Sequence, residues 1–169
     1  MPALNPDHLL EQADQLIATP GPGAPKQADL RRAISTAYYA LFHAIATATA
    51  DDFAGKTNQQ TARYGLVYRS VGHRALRDLS DDVQKQNLPA RYSAFEPPGG
   101  FGTDMIAVAT ALSDLQEKRH SADYDPLFRV RASDATLAIV TARTALRRFR
   151  SANAQKPKAF ISLIVFKPR

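Results

Sequence analysis

The stretch KRHSADYDP, Lys118–Pro126, gathers arginine, histidine, two aspartates and a tyrosine. A guanidinium can clamp a phosphate and an imidazole can move a proton near neutral pH. The residues therefore read as a catalytic centre, as a docking surface, or as the charged end of a helix stopped by Pro126. Spacing narrows the choice. Met105, Val108, Ala109, Leu112 and Leu115 form one apolar face of a helix, and Arg119 and Asp123, spaced i and i+4, continue that face. A charge aimed inward must be paired or used. The pair is either a salt bridge closing the helix end or a binding element. Asp125 precedes Pro126, which disfavours helical geometry there and predicts the helix end at Tyr124.

A second set lies on the clearest helix of the sequence, QADLRRAISTAYYALFHAIATATA, from Gln27 to about Ala50. Leu30, Ile34, Ala37, Leu41, Ala44, Ile45 and Ala48 share its core face, and Arg32, Thr36, Tyr39 and His43 line up opposite at intervals of three or four. Such a stripe is either solvated or part of an interface. Solvated faces favour Lys and Glu, whereas Tyr and His beside Arg are common in interfaces and phosphate sites. Tyr38 and Phe42 flank the stripe and are expected to pack at its borders.

The elements that must hold these residues follow from pattern and punctuation. Asn5-Pro6-Asp7 starts a first helix through Leu9–Ile17, and TPGPGAPK (Thr19–Lys26) breaks the chain. After the Gln27 helix, a third is expected from about Gln59 to Leu79, weakened by Gly65 and Gly72. Ser80 to Gly102 reads as loop, ending in EPPGGFG. A fourth helix runs from Thr103 or Asp104 into the opening stretch, and Ser133 or Asp134 caps a fifth, ATLAIVTARTALRRFR. The tail AFISLIVFKPR is apolar and β-branched; a short strand, packing on the bundle and association with another chain all remain open. The expectation is an all-α, up-and-down bundle of about five helices, with one domain over residues 1–150 and a tail over 151–169.

Composition bounds the function. The 169 residues suffice for a single domain with its own core. No apolar run reaches the roughly eighteen residues of a membrane span, and no basic start precedes an apolar stretch, so a cytoplasmic, membrane-free protein is expected. There is no cysteine, and His8, His43, His73 and His120 are scattered without metal-ligand spacing; no metal site is expected, and His73 reads as a packed helix residue. A net charge of +6 favours phosphate-bearing partners only modestly. Arg143, Arg147 and Arg150, with Arg148 nearby, read either as a solvated helix C-terminus favoured by the macrodipole or as phosphate contacts.

RRAISTAYYALFHA (Arg31–Ala44), followed some eighty residues later by RHSADYDP (Arg119–Pro126), resembles the HEPN superfamily, most of all its small stand-alone branch with a YYA-x-FH helix and an R-x-x-ADY motif. The intervening VYRSVGHRALRDL is similar to that family's His-containing middle helix, and the resemblance spans roughly residues 27–150. It implies a helical bundle that forms a homodimer through the motif face and needs no cofactor. Members include metal-independent ribonucleases in toxin–antitoxin and defence systems, and non-catalytic partners encoded beside a nucleotidyltransferase. The catalytic signature is Arg, a polar residue, three variable residues and His. Laid on this chain, Arg119 and His120 take the first two places, Ser121, Ala122 and Asp123 the variable ones, and Tyr124 stands where the signature has His. Tyrosine, with a pKa of about 10, is a poor base at neutral pH. The first expectation is therefore a dimeric module that binds RNA, a nucleotide or a partner protein such as a nucleotidyltransferase or antitoxin, with Arg32, Tyr39 and Asp123 as binding residues. The second is a metal-independent endoribonuclease using Arg119 with His120 or His43 and Tyr124.

Overall fold

The computed structural model describes residues 4–18 and 23–168, so residues 19–22 of the Pro/Gly break, like 1–3 and 169, lie outside the described residues. Seven α-helices are present: α1 (Pro6–Ile17), α2 (Gln27–Ala50), α3 (Ala62–Ser70), α4 (His73–Val83), α5 (Gly102–Tyr124), α6 (Ala132–Ser151) and α7 (Gln155–Val165). The described residues contain no strand. α2 is central and packs on α1, α3, α5 and α6. Cross-links give the directions. Tyr39 meets Arg119 while Arg31 meets Ala122, so α2 and α5 are antiparallel. Arg148 meets Asp104 across α5 and α6, and Asp7 meets Arg150 as Asp14 meets Arg143 across α1 and α6, so these pairs are antiparallel as well. α1, α2, α5 and α6 thus form an up-and-down four-helix bundle.

Local chemistry sets the boundaries. Asn5 Oδ1 accepts the Asp7 N–H at 3.0 Å and Pro6 opens α1, where a missing N–H costs nothing. Beyond Ala50 the chain widens into a π turn over Asp51–Gly55, then a 3-10 turn over Lys56–Asn58. There Asp51 accepts the Tyr64 hydroxyl at 2.9 Å, and Ala50, Ala54 and Tyr64 close a small second core.

Three expectations are corrected, and the tail takes one of its open alternatives, packing on the bundle. The third helix is two, because the chain leaves helical geometry at Val71–Gly72 and restarts at His73. The expected loop from Ser80 shrinks: α4 continues to Val83, and Ala90–Phe95 is a 3-10 turn, tied down by the nearly buried Asp82 through Lys85 and Arg91. The cap of α6 is Arg131, with Asp134 at N3 accepting the Arg131 backbone N–H at 3.0 Å, so neither Ser133 nor Asp134 is the N-cap. The tail is helix α7 on its own chain, burying Phe160, Ile161, Leu163 and Ile164 in the main core with Phe160 edge-on to Phe101. Tertiary burial overrides the strand preference of its β-branched residues.

Candidate functional site

The two motif helices meet around Arg119. The apolar face of α5 is buried, as its spacing predicts, and Arg119 extends it, leaving the side chain 12% exposed. One guanidinium nitrogen lies 3.3 Å from the Tyr39 hydroxyl and 3.5 Å from Asp123 Oδ2, while buried Nε has no hydrogen-bond partner. The guanidinium carbon sits 5.4 Å from the Tyr38 ring, 5.8 Å from Tyr39 and 5.9 Å from Tyr124, within cation–π range. Burial opposes its charge, but the two α2 tyrosines and Asp123 more than offset this and hold Arg119 cationic.

α2 carries a second polar row that the sequence reading left without a role. Gln27, Arg31, Ser35 and Tyr39 recur every four residues, and all four reach α5 or the segment after it. Gln27 pairs twice with the Val130 backbone, at 2.7 and 3.0 Å. Arg31 donates to the Ala122 carbonyl at 2.6 Å and the Asp125 carbonyl at 2.5 Å, capping the open end of α5 with a cation where the helix dipole favours one. The Ser35 hydroxyl donates to Asp123 Oδ1 at 2.5 Å, which turns the carboxylate toward α2. The row was visible as polar residues at i, i+4, i+8 and i+12; only its direction was not.

The neighbouring row, Arg32, Thr36, Tyr39 and His43, lines an open groove of about 930 Å³ walled by α1, α2 and the end of α5. Asp123 and Tyr124 line it too. Six of the seven residues singled out from sequence are therefore brought together: Arg32, Tyr39, His43, Asp123 and Tyr124 at the groove, Arg119 bonded to two of them. His120 is exposed and does not line the groove; its ring packs 5.0 Å from that of Tyr124. Arg32 is exposed and, among the described residues, has no acidic partner. With Arg31 and Arg119 it gives three guanidinium groups against the carboxylate of Asp123, so the groove is positive. Tyr124 is 66% exposed, which leaves a ring face free beside those charges.

Behind the groove lies an imidazole–phenol network. His43 Nδ1 and the Tyr68 hydroxyl are 2.5 Å apart, and His73 Nδ1 and the Tyr38 hydroxyl 2.7 Å apart. His73 stacks on Phe42 with centroids 4.1 Å apart. Tyr38 and Phe42 are buried, as their place beside the stripe predicts, and His73 is the packed residue expected. Burial lowers the pKa of His43; burial, then the Arg119 charge, then His43 lower that of His73. Burial pushes the Tyr38 phenol up. The pairings of Tyr68 with His43 and of His73 with Tyr38 were not visible in the sequence because the partners lie on different helices.

Three of the α6 arginines are structural: Arg143 binds Asp14 at 2.6 Å, Arg148 binds Asp104 at 3.0 Å and Arg150 binds Asp7 at 2.8 Å. Arg147 alone of the four is exposed without an acidic partner among the described residues, which fits the solvated-terminus reading. Among the described residues no group of three or more His, Cys, Asp or Glu is placed to hold a metal ion, and no helix is long and apolar enough to cross a membrane. Comparison with protein-family models, with curated proteins and with solved structures finds no match.

Proposed function

We propose that the chain is a HEPN-like module, a cytoplasmic homodimer through its motif face, that binds single-stranded RNA or a phosphate-bearing nucleotide in the α1–α2–α5 groove. The observation that carries this reading is the meeting of both motifs at one positive, aromatic-edged groove, with Arg119 bonded to Tyr39 and Asp123 of its lining. Arg32 and Arg119 supply phosphate contacts, and the Tyr124 face supplies a stacking surface for a base. A nucleotidyltransferase or an antitoxin is the kind of protein partner the same resemblance supports. The test is fluorescence anisotropy with labelled single-stranded RNA across a salt series. Arg119→Ala is expected to weaken binding at least tenfold, since a charge-assisted contact is worth about 1.5–3 kcal/mol. Arg32→Ala is expected to weaken it and to lower the salt slope by about 0.7, the share of one phosphate on a single strand. Wild-type protein that binds neither RNA nor a nucleotide at low salt would sink the proposal.

Metal-independent RNA cleavage is the second reading, favoured by the placement of His43. Depressed by burial, this imidazole is neutral at pH 7 and lines the same groove. It can take the proton of a 2′-hydroxyl as that oxygen attacks the adjacent phosphorus, Arg119 stabilises the phosphorane charge, and the imidazolium returns the proton to the departing 5′-oxygen as the P–O5′ bond breaks, leaving a 2′,3′-cyclic phosphate. Cleavage in the presence of EDTA, abolished by His43→Ala with RNA binding retained, is the result this reading predicts.

A further inference from the structure

The outward side of α5 and α6 bears no charge over several turns. Between Asp104 and Asp114 on α5, and between Asp134 and Arg143 on α6, every residue is uncharged. Three large apolar side chains project from this face: Ile106 is 41% exposed, Leu137 56% and Val140 50%. The threonines among them add methyl groups, because the Thr110 and Thr136 hydroxyls turn back onto the Ile106 and Ala132 carbonyls at 2.9 Å. Between the helices runs a narrow groove of about 240 Å³, lined by Ala107, Ala111, Val140 and Thr144, with Arg148 its one charged lining residue. In a chain that is 22% charged, such a face departs from what solvation favours, and clustered apolar side chains of this size mark an association surface.

The charges at its two ends say what fits it. Arg147 reaches only the Thr144 hydroxyl, at 3.4 Å, and among the described residues has no acidic partner. At the other end of α6, Asp134 accepts from Arg131 on both carboxylate oxygens, and its side chain stays 38% exposed. Laid antiparallel on itself about a two-fold axis between residues 140 and 141, α6 sets Val140 against Thr141, Leu137 against Thr144 and Asp134 against Arg147. Each pair occurs twice, as an isologous contact requires. A crossing of about 20° keeps two helices in register over several turns and lets Leu137 and Val140 enter the groove of the facing copy.

We propose that this face docks a second copy of the chain, α6 antiparallel to α6, with Arg147 of each copy on Asp134 of the other. The contact uses no residue of the α1–α2–α5 groove and is independent of the RNA reading. Light scattering on a sizing column tests it. Wild-type protein is expected to run at a multiple of the 18.5 kDa chain mass, and Val140→Glu to halve that mass. Arg147→Asp, which sets acid against acid, is also expected to halve it, and Asp134→Arg combined with Arg147→Asp to restore it. Circular dichroism confirms that each variant is folded; should Val140→Glu fail to fold, the charge-swap pair decides alone. Wild-type protein that stays at the mass of one chain, a folded Val140→Glu of unchanged mass, or a double variant that stays halved would each overturn the proposal.

Discussion

His43 and His73 each share a hydrogen bond with a tyrosine hydroxyl, and burial holds both below the ordinary imidazole range. The unfolded chain takes up these protons at a pKa of about 6.5, the folded chain only at lower pH. Between those values the unfolded state binds more protons, so stability rises with pH there. The stabilisation from the neutral rings is thus fully present above about pH 6.5 and is lost as pH falls through the folded values. Thermal melts are expected to show a falling Tm below that point, and the double substitution His43→Gln and His73→Gln to flatten the fall. A slope unchanged in the double variant would assign the acid sensitivity elsewhere. Arg119 makes the loss steeper, because protonating His73 brings a second cation toward a guanidinium already committed to Tyr39 and Asp123.

Helices α2 and α5 show how much a one-dimensional pattern can carry. Their core faces, the groove row Arg32–Thr36–Tyr39–His43 and the helix end at Tyr124 were legible because helical period maps sequence spacing onto direction. The partners were not. Asp7 and Asp14 lie 143 and 129 residues from their arginines, and no local signal joins them. Tyr68 lies 25 residues from His43, beyond a turn whose path depends on the Ala50–Ala54–Tyr64 packing. α7 was obscured for a different reason: its β-branched run prefers a strand in isolation and is helical only against Phe101 and the core. The junction of α2 with α5 offers a test. Arg31→Met removes both donors to the last turn of α5, and a loss of about 1.5–3 kcal/mol is expected in urea melts. Because that turn carries Asp123 and Tyr124, weaker RNA affinity should accompany it. Undiminished stability would show that water replaces the guanidinium at the two carbonyls.

Across the whole molecule, the final helix is as integral to the core as the motif helices. Phe160 is fully buried, and Phe160→Ala is expected to cost about 3–5 kcal/mol by thermal or urea melts. A smaller loss, under about 1 kcal/mol, would mean the bundle stands without α7. The opposite end of the chain is held chiefly by α2. α1 has two fully buried side chains, Leu10 and Ala13, and its ties to α6 are ion pairs between half-exposed groups, each worth about 0–1 kcal/mol. Yet Leu9 and Gln12 of this helix form one wall of the groove. One bank of the cleft therefore rests on a single short helix seated on α2 through Leu10 and Ala13. The α2–α5 contacts around Arg119 involve no α1 residue. The cleft's width is thus set by how α1 lies on α2, so a change at Leu10 or Ala13 would reshape the groove without touching Arg32, Tyr39 or Arg119.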